Sequence, residues 1–286
     1  MSNLLGRLFV VATPIGNMGD MSDRARETLS HVDCVAVEDT RHSGRLLSRF
    51  GIKQRLVSLH EHNEANRIEP LLDQLRGGQD IALISDAGTP LISDPGYRLV
   101  RAARAAGVDV LTVPGPSSII AALSVAGLPS DRFVYEGFLP ARSSARIRRL
   151  KALAQLEQTL VLLEAGRRVG KTLNDLIDVM GADRKAAICR ELTKRFETTH
   201  SDCLSQLAAW FEADPDRQRG EFVILVAGAD TATESLDSTL PPVVEILAML
   251  RAEGLGAKAA ARVAARLTGQ SINTLYAQAI DAGSSA

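Results

Sequence analysis

A chain of 286 residues, 45% hydrophobic and 23% charged, has an ordinary globular balance and room for two modest domains and an appendage. Its net charge of −1 excludes nucleic-acid binding by bulk attraction, so any RNA contact must use a local patch. No apolar run approaches the ~18 residues of a membrane span, and no basic-then-apolar secretory signal opens the chain, so a cytoplasmic protein with no membrane contact is expected. Apolar runs at 8–12, 34–37, 56–59, 81–85 and 110–113 read as strands, with helices expected at 23–30, 41–49, 65–76 and 96–106. In the last of these, Leu99, Val100, Ala103 and Ala106 fall at helical spacing, with Arg98, Arg101 and Arg104 opposite. Such alternation means βαβ units and a mostly parallel sheet.

After the turn at 114–118 the rhythm restarts, with strands expected at 133–138, 159–164, 186–189 and 221–227 and helices at 117–126, 144–156, 170–180 and 203–212. This half is less regular, and antiparallel pairs are expected in it. Residues 231–239, rich in Thr, Ser and acidic side chains, read as a linker. Beyond it, Pro241 and Pro242 start a helix, Gly254-Leu255-Gly256 breaks it, 257–267 is alanine-rich, and Ser271 is placed to cap a third helix through Ile272, Leu275, Tyr276 and Ile280. The expected organisation is an N-terminal α/β lobe over 1–115, a second α/β lobe over 116–230, a linker over 231–240 and a helix-turn-helix-like module over 241–286.

Three strand exits carry small, flexible or polar residues of the kind that meet a ligand at the carboxyl ends of parallel strands. They are Thr13-Pro14-Ile15-Gly16-Asn17-Met18-Gly19-Asp20, Ser85-Asp86-Ala87-Gly88-Thr89-Pro90, and Pro114-Gly115-Pro116-Ser117-Ser118. Asp86 can accept from a cationic or hydroxyl-bearing ligand, Gly88 allows close backbone approach, and Thr89 offers a hydroxyl; an Asx-turn is the plain alternative. Ser117 and Ser118 put two hydroxyls at a helix start, where capping needs one. The first loop could equally be a simple βα turn, with Asp20 or Ser22 as a cap.

Glu38-Asp39-Thr40-Arg41-His42 could do acid–base work or hold a polar substrate, or Asp39 could cap the next helix while Arg41 pairs with Glu38. His60-Glu61-His62 lacks zinc-site spacing, and Cys34, Cys189 and Cys203 are scattered, so no metal is expected; Cys34 and Cys189 read as core residues. Arg142, Arg146, Arg148 and Arg149, followed by Arg167, Arg168 and Lys171, could grip phosphates or form a solvated face.

Taken together, Thr-Pro-Ile-Gly-Asn at 13–17, Glu-Asp-Thr-Arg-His at 38–42, Ser-Asp-Ala-Gly-Thr-Pro-Leu-Ile at 85–92, Asp-Pro-Gly-Tyr at 94–97, Gly-Leu-Pro-Ser-Asp-Arg-Phe at 127–133, Glu-Gly-Phe-Leu-Pro at 136–140 and Arg-Glu-Leu-Thr-Lys at 190–194 resemble the tetrapyrrole-methylase superfamily. More narrowly, they resemble its branch that methylates the ribose 2′-hydroxyl of a decoding-centre cytidine in 16S rRNA. The resemblance implies a two-lobed class III S-adenosylmethionine methyltransferase fold, homodimerisation, and the small ribosomal subunit as partner. It implies that S-adenosylmethionine lies between the lobes, touched by Asp86, Gly88, Thr89, Ser117 and Ser118, by the second-lobe exits Leu163, Leu192, Ala227 and Gly228, and bordered by Pro14 and Gly16. A small-molecule methylase of the same fold, acting on a tetrapyrrole or diphthamide precursor, is the alternative enzyme; a helix-turn-helix regulator is the non-enzymatic one.

The chain departs from the family's pattern in two places. Glu164-Ala165-Gly166-Arg167-Arg168 lacks the histidine usual after that strand, with Arg168 in the usual arginine place, and Ser271-Ile272-Asn273-Thr274 is neutral where the family is lysine-rich. For catalysis the expected group is Glu38, Asp39 and Arg41. Glu61 and Glu191 are further candidate bases, as is Lys194 if burial lowers its pKa.

Overall fold

The computed structural model describes residues 5–60, 62–229, 241–268 and 270–281. They fall into two compact units, divided after Gly228. The expected linker at 231–240 and the candidate base Glu61 lie outside the described residues.

The first unit opens with a parallel sheet built from β1 (Arg7–Val11), β2 (Cys34–Val37), β3 (Leu56–Ser58), β4 (Ile81–Ile84) and β5 (Asp109–Val113), in the order β3-β2-β4-β1-β5. β2 and β4 are buried along their whole length, as near-continuous apolar strands must be when helices cover both faces. Alternate residues serve opposite cores. Cys34, Ala36, Ile81 and Leu83 pack with α3 (Glu64–Arg76) and α4 (Tyr97–Ala105), while Val35, Val37, Ala82 and Ile84 pack with α1 (Asp23–His31) and α2 (Thr40–Arg49).

Side chains fix the helix starts. The Ser22 hydroxyl accepts from Ala25 N at the head of α1. Asp39 Oδ1 accepts from Arg41 N at 2.7 Å and His42 N at 3.2 Å at the head of α2. Glu64 is buried because its Oε1 takes the amides of Gly96 (3.2 Å) and Arg98 (3.1 Å), capping α4 from a neighbouring helix.

The second sheet is mixed. Its strands are β6 (Phe133–Phe138), β7 (Thr159–Ala165), β8 (Lys185–Arg190), β9 (Thr198–Cys203) and β10 (Glu221–Val226), in the order β6-β7-β10-β8-β9. β6 and β7 are parallel, and β10 runs antiparallel between β7 and β8. β9, absent from the sequence expectation, pairs antiparallel with β8; its Thr-Thr-His-Ser-Asp-Cys sequence carries no apolar run because it is an edge strand. α5 (Ser118–Val125) covers one face through Ile119, Ala122 and Leu123. α6 (Ser143–Leu153), α7 (Gly166–Met180) and α8 (Leu204–Glu212) cover the other through Leu150, Leu173 and Phe211. α7 begins at Gly166, a turn earlier than its apolar periodicity suggested.

The second unit packs α9 (Val243–Ala252), α10 (Ala257–Thr268) and α11 (Ile272–Asp281) around Leu247, Ala261, Ala264 and Leu275. Among the described residues, no helix is long and apolar enough to cross a membrane.

Candidate active site

The carboxyl ends of β1 and β4 face the second sheet, and the loops they carry are pinned to each other. Thr13 N donates to Gly88 O at 2.9 Å and Gly88 N to Thr13 O at 3.0 Å. Gly88 holds φ at +79°, and a Cβ there would press within 3.3 Å of Ile15 Cγ2, so glycine is required. Ile15 itself packs into the apolar cluster of the second lobe beside α5, and Asn17 N donates to Thr193 Oγ1 at 3.1 Å. At the other end, the Ser93 hydroxyl and the Tyr135 phenol hydrogen-bond at 2.6 Å. A β-bulge between Tyr135 and Gly137 lies directly beside that contact.

Between these bridges lies a cavity of about 290 Å³ lined by Ile15, Ala87, Ser118, Leu163, Leu192 and Val223 among others. It is close to the lower end of the roughly 300–1,000 Å³ of small-molecule sites. A smaller recess of about 40 Å³ shares Ala87, Ser118 and Leu163 with it and adds Gly88, Thr89, Ser117 and Tyr135. The walls are mostly apolar, with polar groups at the rim. Thr89 Oγ1 donates to Pro116 O at 3.1 Å. Ser117 is the N-cap residue of α5, yet its hydroxyl makes no capping bond. Cys189 also lines the cavity; burial pushes its thiol up to about 11, so it stays neutral.

Carboxylates gather at the ends of β2 and β4. Burial, with Asp86, Asp94 and Asp39 adding to it, lifts Glu38 above the ordinary carboxylate range. Asp94 is raised by burial and by Asp86. Asp39 is the opposite case, held low by the Arg41 and His42 amides it caps. Among the described residues Arg41 forms no ion pair with Glu38; it lies exposed on the first turn of α2.

The expected site residues separate in space. Leu163, Leu192, Gly88, Thr89, Ser117 and Ser118 line the cavity or its recess. Asp86 is next to the lining residue Ala87, and its Oδ1 accepts from Asp39 N at 3.3 Å. Pro14 is buried, and Gly16 lies against Lys194 and Thr193 of the opposite lobe; Ile15 between them is the residue that reaches the cavity. Ala227 and Gly228, which the resemblance implied at the donor site, line neither the cavity nor its recess. β10 is antiparallel to β7, so its start, Gly220 to Val223, lines the cavity, while Val226 pairs with Leu160 at the far end. There Ala227 N donates to Lys185 O, and a Cβ on Gly228 would collide with Glu157 O.

For Lys194 the pKa moves away from that of a base. Burial pulls its ammonium down, but Nζ donates to Glu221 Oε2 at 2.9 Å and Glu191 Oε1 at 3.1 Å, and these carboxylates hold its pKa above the ordinary value. It is a fixed cation, not a base. Burial lifts Glu191, but the Glu221 amide and Lys194 outweigh it and hold the acid low.

Glu164, Tyr135 and Phe138 were missed by sequence reasoning. Glu164 is buried at the cavity wall, accepting from Thr172 Oγ1 at 2.7 Å and Ala165 N at 2.9 Å while pairing with Arg168 at 3.1 Å. Glu164 was legible only as the residue preceding the histidine-less Ala165-Gly166-Arg167. Among the described residues no group of three or more His, Cys, Asp or Glu is arranged to hold a metal ion.

Residues 7–208 match the family model described as Tetrapyrrole (Corrin/Porphyrin) Methylases. The chain is 48% identical to Ribosomal RNA small subunit methyltransferase I of Escherichia coli O157:H7 over 279 residues, covering 98% of this chain and 96% of that protein. It is 51% identical to the protein of the same name from Pseudomonas aeruginosa over 275 residues, covering 96% and 97%. Among solved structures it resembles diphthine synthase (TM-score 0.60, 20% identity, 77% of this chain and 89% of that one). It also resembles uroporphyrin-III-C-methyltransferase from Thermus thermophilus (TM-score 0.53, 22% identity, 78% and 94%). At those identities the structural likeness speaks for the fold alone. The two-lobed fold, its inter-lobe cavity and near-full-length identity together assign this chain to the tetrapyrrole methylases and, within them, to the ribosomal RNA small subunit methyltransferase I family of methyltransferases.

Proposed function

We propose that this enzyme transfers a methyl group from S-adenosylmethionine to the ribose 2′-hydroxyl of a cytidine in the decoding region of 16S rRNA. The observation that carries this reading is an apolar cavity set directly beside a carboxylate cluster of Glu38, Asp86 and Asp94. Apolar walls at Leu163, Leu192 and Val223 suit an aromatic base, hydroxyls at Ser117 and Ser118 suit polar substituents, and the carboxylates suit a cation. The residues present therefore fit the donor, and Asp86, Gly88, Thr89, Ser117, Ser118, Leu163 and Leu192 would hold it. When bound, S-adenosylmethionine supplies a methyl group already made electrophilic by its sulfonium.

The chain's own task is to orient the ribose and take a proton. Glu38 is the base in this reading. Its raised affinity for protons brings it closer to the operating pH than an ordinary carboxylate, and it accepts the proton of the 2′-hydroxyl. Asp39 is committed to the start of α2, while exposed Arg41 is available to a substrate phosphate. The Asn17–Thr193 and Ser93–Tyr135 bridges hold the two lobes together beside the cavity. Action on the assembled small subunit, in the cytoplasm and as a homodimer, completes the reading; its support is family resemblance.

Incubation with labelled S-adenosylmethionine and small subunits from cells lacking the native enzyme, followed by digestion and mass spectrometry, tests it. A 2′-O-methylcytidine in the decoding region is the expected product. No transfer to subunits or naked rRNA overturns the reading.

A further inference from the structure

The arginine-rich segments around α6 and α7 divide into two sets that the sequence does not separate. One set is structural. Arg146 is 3% exposed, donates to Asp175 Oδ2 at 2.6 Å and reaches the Ala141 carbonyl at 3.3 Å. Arg149 forks onto both carboxylate oxygens of Glu136. Arg168 donates to Leu139 O at 2.6 Å. Arg146 and Arg168 tie the segment from Leu139 to Ser143 to α7, and Arg149 ties α6 to β6.

The other set points outward. Arg142, Arg148, Arg167 and Lys171 are exposed, and among the described residues none has an ion-pair partner; Arg167 and Lys171 lie on α7, Arg142 just before α6 and Arg148 within it. Arg167, Lys171 and Asp175 follow each other at i, i+4 and i+8 on α7, a stripe with a rise of about 6 Å per step. Ser143 donates to Asp175, which brings the start of α6, and Arg142 just before it, against α7. Arg167 is two residues beyond Ala165 of the cavity wall. Phe138 also lines the cavity and is 57% exposed, and it directly precedes Leu139, whose carbonyl takes Arg168 of α7.

We propose that Arg142, Arg167 and Lys171 grip successive phosphates of the RNA substrate while Phe138 stacks one of its bases at the cavity mouth. A cationic strip with an adjacent aromatic platform is how single-stranded nucleic acid is held without reading its sequence. In a chain of net charge −1 it supplies the local attraction that bulk charge does not. The inference rests on the RNA reading above and names the surface that presents the RNA to that site.

The test uses the full-length protein. The variants are Arg142→Gln/Arg167→Gln/Lys171→Gln, Phe138→Leu, and an equal-charge control, Lys53→Gln/Arg101→Gln/Arg104→Gln, whose exposed side chains lie toward the ends of the first lobe's elements remote from the cavity. KM and kcat are measured with small subunits, donor affinity by calorimetry, and 16S RNA binding by filter retention across salt. The cation triple should raise KM at least about ten-fold and reduce the log–log salt slope by about 2, with donor affinity unchanged. Phe138→Leu should raise KM about five-fold. Equal losses in both triples, or an unchanged KM and RNA affinity in the first, overturn the proposal while leaving the enzyme's activity intact. Failure of the wild type to methylate RNA would instead overturn the functional reading, with filter retention still deciding the patch.

Discussion

Asn17 N donates to Thr193 Oγ1 at 3.1 Å, joining a loop of the first lobe to a left-handed residue of the second, since Thr193 has φ +64° and Glu191, two residues earlier, has φ +50°. A β-branched residue in that region is strained by roughly 1–2 kcal/mol, and such strain persists where surrounding contacts enforce it. Thr193→Ala and Thr193→Gly both remove the bridge, but only glycine relieves the backbone. Both should weaken donor binding about three- to ten-fold by calorimetry, with the glycine variant melting about 2–4 °C above the alanine variant. Wild-type affinity in both would show that this bridge does not set the cleft.

Glu38→Gln should trade activity against stability. Burial and its carboxylate neighbours raise the folded pKa above the unfolded one. The group therefore favours folding at pH below its unfolded pKa, and that contribution is lost as pH rises through the folded value. In its ionised form the carboxylate is held unfavourably. The amide should raise Tm by about 1–2 °C, a modest figure because the side chain is partly exposed, while kcat falls about 10²–10⁴-fold. In the wild type, the acid limb of the kcat profile should lie above the ~4.3 of a free glutamate. An unchanged kcat would remove Glu38 as the base.

Asp86→Ala should weaken donor binding at least about ten-fold, and Asp86→Asn should do nearly as much if the carboxylate's charge is what matters. Calorimetry on the folded variants decides. Undiminished affinity in the alanine variant would put the donor elsewhere in the cleft.

Arg146 and Asp175 are both largely buried and pair at 2.6 Å. Arg146→Ala alone strands a carboxylate under α6 and should cost about 3–5 kcal/mol in urea unfolding, whereas Arg146→Met with Asp175→Leu should return to within about 1–2 kcal/mol of the wild type. A single variant as stable as the wild type would show that water reaches Asp175 freely.

The first lobe was legible because its strands are buried on both faces. Apolar runs such as Ile81–Ile84 and Cys34–Val37 have no other stable use, and each delivers its carboxyl end to the cleft. The second lobe was legible in its elements but not in their directions. The resemblance pointed to the carboxyl end of this strand, Ala227 and Gly228, whereas the antiparallel β10 presents its start, Gly220–Val223. Antiparallel pairing was expected in that half, and applying it to 221–227 would have found the right end. Tyr135 and Phe138 escaped notice because nothing local marks an aromatic in an edge strand as facing a ligand. The raised pKa of Lys194 was not legible because its partner Glu221 lies 27 residues away and is invisible to any local pattern.

The position of β10 constrains how this protein is made. It is the last strand of its sheet to leave the ribosome, yet it sits in the middle, with β7 and β8 meeting only through it. A nascent chain that has completed the first lobe can fold that lobe at once, while β6–β7 and β8–β9 must wait as separate ribbons with apolar inner edges until Glu221–Val226 emerges. Chains interrupted before that strand should be the ones that chaperones retain and proteases clear, whereas interruption after it leaves both sheets closed.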